Sequence, residues 1–172
     1  MNKITVVITT IISFLILSCF SLKAQWPKSG DNIVNNTLTK FTGTWQWTNG
    51  TDTVRIFLKK DNVICPGNFK ADFIVGFHLY KKGNTIIESS YDYTNTVHAD
   101  KHSTILAGND NGNNTLTGTL KDLSKNKLVH LKLTLNFMKT KLQWQTENRE
   151  GVHIGPYDYG FTLPRTITLK KL

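Results

Sequence analysis

The sequence predicts an all-β protein, an antiparallel meander of about eight to nine strands closed into a barrel or curled into a sandwich. Three observations carry this. Apolar residues recur with a period of two over most of the chain after residue 40. Turn-forming groups punctuate it at short spacing: Asn49-Gly50, Pro66-Gly67, Gly83-Asn84, NDNGNN at 109–114 and Ser124-Lys125-Asn126. No window carries a helical stripe. There is no internal repeat, which argues against a propeller.

The chain opens with MNKITVVITTIISFLILSCFSLKAQ. Lys3 supplies a positive start, Ile4 to Phe20 an apolar run, and Leu22-Lys23-Ala24 a junction ending in a small residue. That order defines a secretory leader over 1–24, and the expected location is secreted, periplasmic or on the outer surface. Lipid attachment at Cys19 is the weaker alternative, because Leu17 is bulky for a lipoprotein junction. Residues 25–40 are polar and turn-rich and read as a lead-in, with Trp26 expected to tuck onto the core. Residues 41–172 form the domain.

The first strand is KFTGTWQWTN, with Phe41, Gly43, Trp45 and Trp47 on one face. Asn49-Gly50 predicts a tight hairpin with those two residues at its centre. The return strand places Val54, Ile56 and Leu58 together, and residues 61–70 read as a loop around Cys65-Pro66-Gly67. In ADFIVGFHLY the apolar set Phe73, Val75, Phe77 and Leu79 is the expected inner face, opposite Ile74, Gly76, His78 and Tyr80. TIIESSYDY is the next strand, and the polar TNTVHADK leads to a short one at STILAG. TLTGTLKD and KLVHLKLTLNF pair across Ser124-Lys125-Asn126, and Val129, Leu131, Leu133, Leu135 and Phe137 are the cleanest period-two run. LQWQTEN turns Leu142 and Trp144 inward. A Gly/Pro-rich segment then leads to a last strand near Thr166–Lys170.

Composition narrows the function. The formal charge is +9, and loss of Lys3 and Lys23 with the leader lowers it to +7. The lysines are scattered at strand ends, which suits solubility and protected edges better than a nucleic-acid groove. A basic exported protein is drawn instead to anionic glycans or lipids. Cys65 is the sole cysteine after the leader, so a core rather than a disulfide must hold the mature chain. No Gly-X-Ser-X-Gly elbow is present. Glu88, Asp92, Glu147 and Glu150 give no carboxylate pair that sequence can place across a cleft. His98 and His102 stand four apart, but without helical context or an accompanying Glu. His78, His130 and His153 are scattered. No catalytic residue, metal ligand or cofactor is therefore assigned. Tyr91, Tyr93, Tyr157 and Tyr159 near loops could form a glycan platform, but half-buried structural tyrosines are commoner.

Two resemblances add to this reading. Gly43-Thr44-Trp45 behind Phe41 resembles the Gly-X-Trp motif of the lipocalin superfamily. That likeness implies a lipocalin-like barrel in which a late arginine, here Arg165, lies over the tryptophan. KFTGTWQWTNGTDTVRIFLKK with VGFHLYKKGNTIIESS resembles a family of small secreted Bacteroidota proteins of unknown function. It implies export and an all-β fold, and no activity.

The expected function is that of an exported, non-enzymatic barrel. It would bind a small apolar ligand or an anionic surface glycan or lipid, with Trp45, Trp47, Phe73, Phe77 and Trp144 as candidate ligand-binding residues. The alternatives are a secreted hydrolase on the same scaffold and an interaction protein with a filled core. Oligomeric state is not readable from the sequence.

Overall fold

The computed structural model describes residues 26–109, 114–149 and 157–172. The expected leader, its junction at Ala24, Cys19, Glu150 and His153 lie outside these residues. Among the described residues ten strands form one sheet. They are β1 (Asn32–Ile33), β2 (Gly43–Asn49), β3 (Asp52–Cys65), β4 (Phe69–Lys82) and β5 (Thr85–Ser89). The second half supplies β6 (Ile105–Asn109), β7 (Thr115–Asp122), β8 (Lys127–Leu135), β9 (Lys141–Asn148) and β10 (Thr166–Lys171). The described helical pieces are 3₁₀ turns at Asn36–Phe41, Tyr91–Tyr93 and His98–Asp100.

Eight of the strands close an antiparallel barrel in the order β2-β3-β4-β6-β7-β8-β9-β10. The short strands β1 and β5 both pair with β4 outside this ring. Two pairings complete the circle. β4 bonds to β6 over Ile74–Gly76, skipping β5. The last strand returns to the first, Lys170 opposite Gln46 and Lys171 opposite Trp45.

Register sets what faces inward, because opposed residues share a face and the side-chain period is two. Trp45, Ile56 and His78 make one inward row. Leu58, Gly76, Ile105, Leu120 and Val129 make another. Leu133, Trp144 and Ile167 make a third. The apolar members of these rows belong to one buried cluster, and Trp45 and Trp144 are fully covered. An eight-stranded barrel is just wide enough to be filled by its own side chains. Gly76 shows how tightly it is filled: a Cβ there would stand 2.6 Å from Leu58 Cδ2 and 3.0 Å from Ile105 Cβ.

The expected inner face of β4 is reversed. Ile74, Gly76, His78 and Tyr80 point into the barrel, while Phe73, Val75, Phe77 and Leu79 point out. Val75 and Phe77 are nonetheless fully buried. The β5–β6 connection lies over them: Lys59 Nζ donates to the Thr94 carbonyl at 2.8 Å, and the His98 amide donates to Asp61 Oδ2. With both faces covered, β4 carries apolar residues on both, and its pattern does not show which is inner.

Three smaller expectations also change. The hairpin centre is Gly50-Thr51, since Asn49 pairs with Asp52 at the end of the ladder. β3 continues through 61–65 into an arm with β4 beyond the barrel, and the expected loop shrinks to a tight turn. Trp26 is 90% exposed and does not tuck onto the core. The lead-in is held instead by Asp72, which accepts from the Asn35 amide, Lys60 Nζ and Asn62 Nδ2.

Trp45 anchors one end of the barrel. Its indole N–H donates to the Phe41 carbonyl at 2.9 Å, tying β2 to the 3₁₀ turn before it. Trp47, on the same face, is only half-buried. Trp45→Ala is expected to cost roughly 3–5 kcal/mol, and Trp47→Ala clearly less. Denaturant melts of both variants measure this; a Trp45→Ala protein as stable as wild type would contradict the placement.

Candidate functional site

The five candidate ligand-binding residues do not form one site. Trp45 and Trp144 lie inside the barrel in the packed cluster, and Trp47 packs against it. Trp144 donates its indole N–H to the Pro164 carbonyl at 3.1 Å. Phe73 and Phe77 are on the outside of β4, separated from the tryptophans by the sheet itself. Arg165 does not cover Trp45: its guanidinium lies 5.1 Å from the Phe161 ring centre. The cation over Trp45 is Lys171, whose Nζ is 5.2 Å from the ring centre and whose stem passes beside Gly43. Gly43 thus leaves the space that a cation from the last strand uses.

The densest group of polar side chains lies at the opposite end. His78 is fully buried on the inner face of β4. Its Nε2 is 2.9 Å from Glu88 Oε1, and its Nδ1 is 2.8 Å from Thr104 Oγ1. Thr104 Oγ1 is 3.0 Å from Ser90 Oγ, which accepts from the His78 amide. Glu88 Oε2 accepts from both the amide and the hydroxyl of Ser124, each at 2.8 Å. One continuous chain of hydrogen bonds thus links Ser90, Thr104, the imidazole and the carboxylate. Each member is satisfied, as buried polar groups require.

Local sequence explains the assembly. Tyr80 opposes Glu88, so Glu88 turns inward beside His78. Thr104 donates its amide to the Gly76 carbonyl and accepts from the Lys121 amide at the start of β6. Ser124 is in the β7–β8 turn. The cluster therefore ties β4, β5, β6 and that turn together. Beside it, Asp122 accepts from the amide and hydroxyl of Thr162, fastening the segment that leads into β10.

Hydroxyl, imidazole and carboxylate in this order are the components of nucleophilic catalysis. Here they are placed for holding. Ser90 and Thr104 are each 4% exposed, and the carboxylate's second oxygen is occupied by Ser124. Burial raises the Glu88 carboxyl, but the bonds from His78 and Ser124 outweigh it and hold the group below its ordinary value.

His98 and His102 are engaged separately from the cluster. His98 Nδ1 meets Ser103 Oγ at 3.0 Å, whereas His102 stacks on Tyr93 with ring centres 4.1 Å apart. Tyr157 packs edge-on against Tyr159, and Lys127 lies over the Tyr157 and Phe161 rings. Among the described residues shallow sites lie on the outside, one of about 370 Å³ along Trp26, Lys28 and Ile33 in the lead-in. A groove of about 450 Å³ crosses β7–β9, lined by Thr117, His130, Lys132, Gln145 and Glu147. Another of about 350 Å³ lies between the β3 arm and the turn at His98–Asp100.

The inward cluster was not recognisable as a unit from sequence. The available signal was a histidine and a glutamate that register brings to one face, and that register depends on a five-residue strand outside the main ring.

Fold and site together define a closed antiparallel barrel with a densely packed apolar core and a hydrogen-bonded clamp at one end. The chain belongs to the Family of unknown function (DUF6705), whose model matches residues 1–172. No curated protein and no solved structure matches it.

The clamp makes stability sensitive to acid. Because the folded Glu88 carboxyl sits below its ordinary value of 4.5, its contribution is complete above about pH 4.5 and is lost as pH falls through the lower folded value. Glu88→Gln should lower stability at neutral pH by about 1–3 kcal/mol and flatten the acid-side decline. Urea melts from pH 7 to pH 3 test this; an unchanged acid slope in the variant would assign the decline to other groups.

Proposed function

We propose that this protein is an exported, non-enzymatic interaction module that engages an anionic surface component, glycan or lipid, through the outside of its barrel. The observation that carries this reading is the filled interior. Fully buried Trp45, Trp144 and the aliphatic rows pack the inner face, and at Gly76 a Cβ would stand 2.6 Å from Leu58 Cδ2. Binding then falls to the exterior, and the formal charge of +7 left after loss of the leader's two lysines gives that exterior its preference for anionic partners.

The outer face divides accordingly. Across β3 and β4 it is apolar and covered by the β5–β6 connection. From β7 round to β2 it is polar, with rows such as Thr117–Lys132–Gln145 and Thr115–Thr134–Gln143–Thr168. No row there presents an aromatic platform for sugar stacking, so charge and hydrogen bonding would have to supply recognition. The leader expected over 1–24 supports export. The buried state of Ser90 and Thr104 favours this reading over the hydrolase.

Binding of the purified exported protein to an acidic polysaccharide and to vesicles containing phosphatidylglycerol tests the proposal, with neutral dextran and phosphatidylcholine vesicles as controls. Binding to at least one anionic surface, weakened about tenfold or more between 50 and 300 mM salt, is expected. No preference for either anionic surface over its neutral control would overturn it.

A further inference from the structure

The turn between β8 and β9 has the sequence Asn136-Phe137-Met138-Lys139-Thr140. Phe137 is 94% exposed and Met138 75% exposed. Phe137 continues the apolar alternation of β8 in sequence, yet it lies beyond the last core residue, Leu135, and reaches no part of the core. Tight turns usually carry small polar residues, because two large apolar groups at a convex tip gain nothing from folding.

The tip is not loose chain. Asn136 Oδ1 accepts from the amides of Thr140 and Lys141, each at 2.8 Å. The Asn136 amide donates to the Lys141 carbonyl, and the Lys139 amide to the Asn136 carbonyl, both at 3.0 Å. Lys139 takes a left-handed φ of 57° to close the turn. The Lys171 amide donates to the Thr140 carbonyl, so the last strand braces the turn from the side. One asparagine and a neighbouring strand thus fix two apolar side chains facing away from the protein.

The two segments that form and brace the tip carry charge of one sign. Segments 135–142 and 166–172 contain Lys139, Lys141, Lys170 and Lys171 and no acidic residue. Each of these four lysines is exposed. Lys141 and Lys170 stand opposite each other on the outer face, at the rim of the same barrel end. A convex apolar point with a collar of cations is complementary to an anionic bilayer, in which the side chains enter among the acyl chains and the ammonium groups meet lipid phosphates. A protein groove would need a concave partner and gives no reason for the lysines grouped at the tip.

We propose that the β8–β9 turn is a membrane-docking tip. Phe137 and Met138 insert into an anionic lipid surface, and Lys139, Lys141 and Lys170 hold its headgroups. This rests on the reading that the exterior meets an anionic surface, and it selects lipid and one end of the barrel. Docking there stands the molecule on the end closed by Trp45, with the Glu88–His78 clamp at the far end.

Vesicle co-sedimentation tests the tip. The wild-type protein is expected to bind phosphatidylglycerol vesicles and to lose about tenfold or more of its partition in Phe137→Ser/Met138→Ser, with its melting temperature unchanged because neither side chain is packed. Lys139→Glu/Lys141→Glu should abolish the preference for anionic over neutral vesicles. Vesicle binding that survives the double serine change would overturn the tip and leave the anionic-surface reading standing. So would binding to acidic polysaccharide without binding to vesicles. Binding to neither surface would overturn both.

Discussion

The structure depends on closure of the sheet. An open antiparallel sheet leaves two edges of unpaired backbone groups, and a barrel removes them. Closure here needs two non-sequential contacts: β4 with β6 over three residue pairs, and β10 with β2 at its final residues. Both are short, and both are reinforced by side chains. The β4–β6 seam has the Thr104 link to Gly76 and the His78–Glu88 clamp beside it. The β10–β2 seam has Lys171 over Trp45 and the Leu172 amide bonded to the Thr44 carbonyl.

Closure at eight strands fixes the internal width, and that width decides what the interior can do. Trp45, Trp144 and the aliphatic rows consume it. Gly76 and Gly118 are the points where neighbours approach closest; a Cβ on Gly118 would meet the Leu106 carbonyl oxygen and the Ala107 backbone. The polar cluster at one end is accommodated because each of its groups has a partner. Were one missing, a buried carboxylate or imidazole would be costly in so apolar a setting. An interior taken up by packing leaves loops and outer faces as the surfaces available to a partner, and the proposed docking tip at the β8–β9 turn is drawn from them.

Much of the fold was readable from the chain. The hairpin from Gly43 onward, the inward set Val54, Ile56 and Leu58, the run from Val129 to Leu135, and the inward Leu142 and Trp144 follow from period two alone. The inner face of β4 was not readable. Phe73, Val75, Phe77 and Leu79 form the more apolar face, but their burial comes from a connection whose own sequence, TNTVHADK, looks like free loop. His78 made the true inner face look polar, and its compensating partners are 10 and 26 residues away in sequence. Such long-range pairing leaves no local signature. The cation over Trp45 was misplaced for a related reason: Arg165 and Lys171 both border the last strand, and only register decides which reaches the ring.

The most direct test of a filled barrel is a titration that reports from its interior. Trp45 and Trp144 are fully buried there, so their fluorescence would respond to any molecule entering the interior. Titration of the protein with oleate and with a small apolar probe, followed by tryptophan emission, is predicted to give no saturable change. A stoichiometric, saturable shift that is lost in a variant narrowing the interior would contradict the account and return the barrel to the ligand carriers.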